Sequence, residues 1–334
     1  MTPKRRVLIA AHFAAKPGDP LLQPLLDAGF ELSWNTTGRF LTEPELLSVL
    51  PRVFGTIAAI EPYTAKVFAG APDLRIVSRF GVGYDQIDVA AATRYGVAVA
   101  MAFGANHEAV ADYTLTLMLA LADDLVTHHQ QMRQRRWIMD FHPGLWGSTV
   151  GIIGLGRIGK AVARRCHGFQ TTILAYEPEP DLEFVRSLDI RLVPLETLLR
   201  EADFVTLHLP SIPQTTRFIN RERLALMKPT AFLVNTARGA LVDEAALAEA
   251  LAAGRLAGAG LDVFAAEPPW DSPILSLDNV LLSPHSAASD QRAKRAVFKR
   301  AVESILAVAD GRDPGPGLVL NPEVLRSERR TRLV

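Results

Sequence analysis

Val150-Gly-Ile-Ile-Gly-Leu-Gly-Arg-Ile-Gly159 decides how the rest of this sequence reads. The run 149–153 is short, apolar and rich in β-branched residues, the profile of a strand buried on both faces. It leads into Gly154-x-Gly156-x-x-Gly159 and then into a helix-like stretch, 160–166. Gly154 permits the tight turn, Gly156 lets a pyrophosphate approach the backbone, and Gly159 lets the helix pack close to the strand. The helix N-terminus adds unpaired N–H groups and the positive end of its dipole. Alone, G-x-G-x-x-G is a weak signal. Here a strand precedes it, a helix follows, and a second apolar run, 171–176, ends in Glu177, 18 residues beyond Gly159. That context predicts a dinucleotide site.

Glu177 narrows the dinucleotide. A carboxylate at the end of the second strand accepts hydrogen bonds from both ribose hydroxyls of NAD and repels the extra phosphate of NADP. Glu179 and Asp181 add negative charge, and no Arg occurs between Glu177 and Arg186. NAD is the expected cofactor.

The bulk properties exclude several classes. A length of 334 residues suggests two domains. The hydrophobic share of 49% with 22% charged residues suits a globular chain with real cores. Lys+Arg and Asp+Glu balance at 36 each, so no basic field invites nucleic acid or an anionic membrane. Cys166 is the single cysteine, which leaves no internal disulfide and no cysteine-based metal cluster. Lys4-Arg-Arg6 with the apolar run after it imitates a signal peptide, but His12 interrupts the run and Pro17-Gly-Asp-Pro20 follows as a turn. A buried first strand fits better, and no later apolar run is long enough for a bilayer. The expectation is a soluble, cytoplasmic protein.

Strand-like runs at 7–11, 30–34, 56–60, 74–78 and 97–100 precede the glycine motif. Helix candidates lie between them at 20–28 and from Thr42, with Pro44 in the first turn and acids near the dipole. After Glu177 come strands at 204–209, 231–235, 256–261 and 280–283. Helices are expected at 195–201, 221–227, 243–253 and 297–309. Alternating β and α predicts parallel sheets flanked by helices. Helices over 106–121 and 123–136 link the two α/β units. His128 and His129 in the second are adjacent and do not share a helical face, so a solvated or subunit-facing surface is expected there and no metal site. The tail from Gly311 reads as a surface strap.

Three polar residues follow late strands: Arg238 in Asn235-Thr-Ala-Arg-Gly239, Glu267 in Ala266-Glu-Pro-Pro269 and His285 in Ser283-Pro-His-Ser286. Ligands of open parallel sheets sit beyond the carboxyl ends of the strands. Hydride exchange at a hydroxyl carbon needs a base of near-neutral pKa, and His285 fits. A carboxylate on the far imidazole nitrogen fixes the tautomer, a task for Glu267. Arg238 can hold a substrate carboxylate and polarise a carbonyl oxygen. In the first unit, glycines flank Val82 in Arg79-Phe-Gly-Val-Gly-Tyr-Asp85, and such a concavity of N–H groups suits an anion.

Ser78-Arg-Phe-Gly-Val-Gly-Tyr-Asp85, the 150–159 motif, His208-Leu-Pro210, Asn235-Thr-Ala-Arg-Gly239, Gly260-Leu-Asp-Val-Phe264 and Ser283-Pro-His285 occur in that order. Together they resemble the D-isomer-specific 2-hydroxyacid dehydrogenases over nearly the whole chain, most closely the phosphoglycerate dehydrogenase-like and hydroxypyruvate/glyoxylate reductase-like members. The resemblance implies NAD-dependent interconversion of a D-2-hydroxy acid and its 2-keto acid. It implies His285 as acid/base supported by Glu267, Arg238 on the substrate carboxylate and carbonyl, and Val82 and Gly83 as backbone donors. Arg79 matches a position that can meet a phosphoryl group. Gly154, Gly156, Arg157, Ile158 and Gly159 would meet pyrophosphate, and Glu177 the adenosine ribose. Pro210 would line the adenine or ribose pocket, Asp262 would meet the nicotinamide amide, and Thr236 and Ala237 would join the cofactor set. The implied α/β fold has two Rossmann-like parallel-sheet domains, with the nucleotide-binding domain (102–286) inserted into a flavodoxin-like substrate domain (1–101 and 287–334). A homodimer is implied.

The chain departs from the pattern after the histidine, where Ser286-Ala-Ala288 stands in place of the glycines of many relatives. An NADH-sensing, corepressor-like binding protein and a formate- or phosphite-type dehydrogenase are the alternatives.

Overall fold

The computed structural model describes residues 5–326. A first sheet contains β1 (Arg6–Ile9), β2 (Glu31–Trp34), β3 (Val53–Ala58), β4 (Ile76–Arg79) and β5 (Ala98–Ala100). A second contains β6 (Thr149–Ile153), β7 (Thr172–Tyr176), β8 (Arg191–Leu192), β9 (Phe204–Leu207), β10 (Phe232–Asn235), β11 (Gly258–Leu261) and β12 (Val280–Leu282). All pairings among these strands are parallel. The orders are β2-β1-β3-β4-β5 and β12-β11-β10-β9-β6-β7-β8. The first is the flavodoxin-like order, and the second is a doubly wound Rossmann order with one added edge strand. In the second, β6 lies between β7 and β9, so the winding direction reverses where the glycine motif begins. By internal contacts, residues 5–106 with 290–326 form one compact unit and 107–289 the other.

Each sheet is covered on both faces, as the near-continuous apolar strands require. In β1, Val7 and Ile9 join one core with Leu25, Phe298 and Ile305, while Leu8 packs oppositely with Leu46, Phe68 and Ala91. In β6, Val150 and Ile152 face the layer of Leu115, Val162 and Cys166, and Ile153 faces that of Leu198, Leu233 and Leu247. Period-2 alternation thus feeds two helical layers per sheet. Burying each such side chain contributes about 1.5–3 kcal/mol.

The last helix spans Gln291–Ala309 and so begins six residues before the expected start at 297. Its first turns, Gln291-Arg-Ala-Lys-Arg, carry little apolar signal, but the Asp290 side chain caps the Arg292 and Ala293 N–H groups. Phe298, Ala301, Val302 and Ile305 then bury against the first sheet. The tail is more than a surface strap. Val319 bridges Ala100 in antiparallel sense, and Leu320 donates its N–H to the Val99 carbonyl. The Asn321 side chain accepts from Val99 N–H at 2.9 Å and is 1% exposed. An edge strand leaves N–H and C=O groups unpaired, and this segment satisfies those of β5. Residues 327–334 of the expected strap lie outside the described residues. Among the described residues, no helix is long and apolar enough to cross a membrane.

Candidate active site

The glycine turn follows β6 at the carboxyl edge of the second sheet. Gly154 has φ +97°, and a Cβ there would stand 2.8 Å from the His208 carbonyl oxygen. A Cβ on Gly159 would come within about 2 Å of the Gly154 carbonyl oxygen. The protein's own backbone therefore demands both glycines. Gly156 differs: it caps the helix Arg157–Gly168, and a Cβ on it would meet nothing within 4 Å. No side chain caps this helix, so its first-turn amides stay available to an anion. A close-packed turn, an uncapped amide cluster and an unobstructed glycine in front of it fit a pyrophosphate.

Glu177, one residue past β7, accepts from Leu155 N–H at 2.8 Å and Glu179 N–H at 3.2 Å. Its carboxylate is thereby tied to the turn that carries the cradle. Lys160 pairs with Asp181 at 2.6 Å on the exposed side. Pro210 is exposed, and its carbonyl accepts from Thr215 Oγ1 at 2.7 Å. His208, after β9, meets Thr206 Oγ1 at 3.0 Å, and burial pulls its pKa down to about 3, so the ring is neutral. The single cysteine, Cys166, is buried in the core, which pushes its thiol pKa up to about 12; it is no nucleophile.

Arg238, Glu267 and His285 follow β10, β11 and β12, all on the same carboxyl edge. Glu267 Oε2 stands 2.8 Å from His285 Nδ1, and Glu267 Oε1 accepts from Phe264 N–H at 3.1 Å. Burial opposes ionisation of Glu267, but the His285 bond, His285's charge and the Phe264 N–H outweigh it, with Arg238 acting in the same sense. The net effect holds Glu267 below the usual carboxylate range. An ionised carboxylate only accepts, so the ring proton sits on Nδ1 and Nε2 is left for exchange.

Gly239 brings Arg238 to this pair. A Cβ on Gly239 would fall inside the Phe264 carbonyl group, so the turn after β10 packs directly on the loop that carries Glu267. The side chains of Asn235 and Arg238 brace the turn. Asn235 Nδ2 donates to the Arg238 carbonyl at 2.9 Å, and Arg238 Nη1 to the Ala237 carbonyl at 2.6 Å. Thr236 is buried with Oγ1 2.8 Å from Thr114 Oγ1, and Ala237 donates its N–H to Asn235 Oδ1. Both residues thus belong to the scaffold of the turn.

Asp262 has a task that spacing does not reveal. The residue is 0% exposed and accepts from Ser283 Oγ at 2.6 Å, Ser286 N–H at 2.7 Å and Ala287 N–H at 2.9 Å. Burial raises its pKa against these bonds. The carboxylate latches the loop that holds His285 at φ +53°, a left-handed conformation unusual for a non-glycine. Only the later pairing of β11 with β12 brings Asp262 to that loop.

In the first unit, the turn Gly81–Gly83 follows β4. Gly81 has φ +146°, Val82 is half-buried and Gly83 buried. Arg79 is 9% exposed and its Nη1 donates to the Ala58 and Phe80 carbonyls at 3.3 and 3.2 Å. Among the described residues no three His, Cys, Asp or Glu side chains group as metal ligands; His128 and His142 stand as a pair, Nε2 to Nε2 3.1 Å.

A sequence profile described as D-isomer specific 2-hydroxyacid dehydrogenase, NAD binding domain, matches residues 115–287. A glyoxylate reductase of Korarchaeum cryptofilum is 44% identical over 273 residues, covering 80% of this chain and 82% of that one. A D-3-phosphoglycerate dehydrogenase of Methanocaldococcus jannaschii is 43% identical over 251 residues, 74% of this chain but 48% of that one. Among solved structures, a Thermus thermophilus protein superposes with TM-score 0.85 at 39% identity, covering 94% of this chain and 99% of that one. An NADPH-dependent glyoxylate/hydroxypyruvate reductase of Sinorhizobium meliloti has TM-score 0.77 at 31% identity, with 91% and 93% covered.

Proposed function

Because the chain belongs to the D-isomer-specific 2-hydroxyacid dehydrogenase family, we propose that its proton chemistry runs through His285, with Glu267 behind it and Arg238 on the substrate carboxylate. The enzyme acts on the CH–OH group of a small 2-hydroxy acid or on the corresponding keto acid. The observation that carries the assignment of roles is the His285–Glu267 contact of 2.8 Å beside the Arg238 turn. When bound, the nicotinamide supplies or takes the hydride. In the reducing direction His285 Nε2 holds a proton toward the carbonyl oxygen and releases it as negative charge grows there. Glu267 fixes the tautomer and stabilises the imidazolium in the reverse direction, while Arg238 anchors the carboxylate and polarises the carbonyl. Val82 and Gly83 are assigned as backbone N–H donors to a substrate carboxylate. On this reading residues 107–289 are the nucleotide-binding unit and the other unit selects the substrate.

Gly154, Gly156, Arg157, Ile158 and Gly159 hold the pyrophosphate, Pro210 lines the adenine or ribose pocket, and Thr236 and Ala237 join the cofactor set. Asp262 acts on the nicotinamide end through the loop it latches. NAD rather than NADP is favoured by Glu177, whose carboxylate is fixed at the end of β7 with Glu179 and Asp181 following. The active form is a homodimer. The helix Leu125–Arg133 has no buried residue, and Trp137, Met139, Phe141 and Trp146 after it are 76–106% exposed. A second copy covers such an apolar stretch. The need for a cofactor regenerated inside cells supports a cytoplasmic setting.

The test is NADH oxidation with glyoxylate, hydroxypyruvate, phosphohydroxypyruvate and branched keto acids, repeated with NADPH. NADH consumption with at least one short keto acid is expected. Consumption with none would sink the proposal, and a clear NADPH preference would overturn the part resting on Glu177.

A further inference from the structure

The carboxyl edge of the first sheet carries a group of aromatic rings with no task in the chemistry above. The strand order β2-β1-β3-β4-β5 reverses its winding between β1 and β3. In open α/β sheets the ligand crevice lies beyond the strand ends at such a reversal. Ala10 and Ala11, just past β1, donate their N–H groups to the Ile57 carbonyl of β3 at 3.0 and 3.1 Å. Ala14 N–H then bonds the Ala11 carbonyl at 2.9 Å, which closes a turn with His12 and Phe13 at its tip.

Phe40 reaches the same place from the loop after β2. Asn35 Nδ2 donates to the Ala10 carbonyl at 3.0 Å and to the Arg39 carbonyl at 2.7 Å, so one buried amide ties that loop to the end of β1. Phe80 follows β4 and immediately precedes Gly81. The rings meet edge to face. Phe13 lies 5.5 Å from Phe80, 6.1 Å from Phe40 and 5.3 Å from His12 between centroids, and His12 lies 5.5 Å from Phe40. Phe80 also meets the fully buried Phe298 at 6.2 Å, which roots the group in the core. Its outer members are open: Phe13 is 48% exposed and Phe40 37%. Mutual edge-to-face packing fixes the orientation of such rings, so they present a preformed apolar face. The cations beside them have partners. Arg39 forms a two-pronged pair with Glu45 at 2.6 and 2.9 Å, and Lys294 bonds the Phe13 carbonyl at 3.1 Å.

We propose that Phe13, Phe40 and Phe80 form the wall against which the substrate's side chain packs, so that the enzyme prefers 2-keto acids with a bulky apolar side chain, branched aliphatic or aromatic, to glyoxylate. This rests on the reading of Gly81–Gly83 as the turn that receives the substrate carboxylate. Phe80 joins the wall to that turn through a single peptide bond. In a 2-keto acid the side chain begins two bonds from the carboxylate carbon, so a carboxylate on the turn brings that side chain to the rings. An exposed aromatic face beside a few orienting polar groups is the composition of a small-molecule site. Glyoxylate carries only hydrogen at that position and gains nothing from the wall.

The experiment compares kcat/KM for 4-methyl-2-oxopentanoate, phenylpyruvate and glyoxylate in the wild type, Phe13→Ala and Phe40→Ala, with the nicotinamide cofactor that the enzyme oxidises faster. The wild type is expected to favour one or both bulky acids over glyoxylate by at least about tenfold, the scale of apolar contacts in a pocket. Each variant is expected to narrow that ratio by about tenfold, through the KM of the bulky acid rather than through kcat. A ratio is read because partial misfolding scales all substrates together. A check that needs no variant uses carboxylates without a reducible carbonyl: 4-methylpentanoate is expected to inhibit wild-type glyoxylate reduction competitively at a concentration at least about tenfold below that of acetate. A wild-type preference for glyoxylate, a ratio unmoved in both variants, or equal inhibition by the two carboxylates would overturn the proposal while leaving the reductase reading intact. Failure to reduce any keto acid would remove both.

Discussion

The two parallel sheets end in glycine turns of similar appearance, yet their surroundings differ. Past the second sheet, every group near His285 is fixed by another: Glu267 bonds the ring, Asp262 latches the loop, and Gly239 packs the Arg238 turn onto Glu267's loop. Past the first sheet, Arg79 Nη1 donates to the Ala58 and Phe80 carbonyls beside the Gly81–Gly83 turn, and the buried Glu61 accepts from Ala59 N–H. One edge carries a carboxylate–imidazole pair held by its neighbours, and the other carries buried charged side chains bonded to backbone. Residues that handle protons need an orienting partner within hydrogen-bond reach, and the His285–Glu267 contact past the second sheet is such an arrangement.

The largest effects are expected on the proton-handling edge. His285→Ala should lower kcat by about 10³-fold, and Glu267→Gln by about 10²-fold, with the dissociation constant for NADH changed little in either. Fluorescence titration with NADH beside steady-state turnover separates the two quantities. A loss of NADH binding equal to the loss of kcat would dissolve the division between cradle and proton relay.

Next come the glycines of the cradle, which split according to what demands them. Gly159→Ala forces a Cβ into the Gly154 carbonyl and should lower the melting temperature on the order of 10 °C. Gly156→Ala meets no protein atom within 4 Å, so its melting temperature should hold while NADH affinity falls about tenfold. Equal thermal losses in both would mean that Gly156 serves the fold rather than a ligand.

The smallest expected effect tests the Asp262 latch. Its folded pKa is raised, so the ionised form is disfavoured by folding: the associated stability is present below about 3.9, the unfolded value, and is lost as pH rises through the folded pKa. Asp262→Asn removes this titration and one acceptor of the loop. The difference in melting temperature between wild type and variant should change with pH across that acid window and stay flat above it. Turnover should fall roughly tenfold, about 1.4 kcal/mol in the barrier. A variant with unchanged turnover would show that the loop keeps His285 in place without Asp262.

Much of this molecule is legible in the chain because the signals are local. The glycine turn, the acid ending β7, and the alternation of apolar runs with helical stretches each lie within a few residues. Arg238, Glu267 and His285 stand out because three chemically suited residues each follow a strand of the same sheet. What is not legible depends on contacts across sequence. Asp262 and the 283–287 loop are brought together only by the β11–β12 pairing. Glu61 sits in an aperiodic Glu-Pro segment, and its burial follows only from the packing of that segment along 80–87. The start of the final helix is hidden because Gln291–Arg295 carries little apolar patterning and relies on the Asp290 cap. The segment 318–321 reads as surface because the partner it satisfies, the open edge of β5, is known only once the sheet order is known.

With His285 as the proposed proton donor and Arg238 as the proposed carboxylate anchor, a keto acid would present a single face for reduction, which makes product configuration the most direct test. Hydroxypyruvate reduced with NADH yields glycerate, whose hand is read by chiral chromatography. D-glycerate alone is expected. L-glycerate, a racemic product or no NADH consumption with any short keto acid would contradict the assignment.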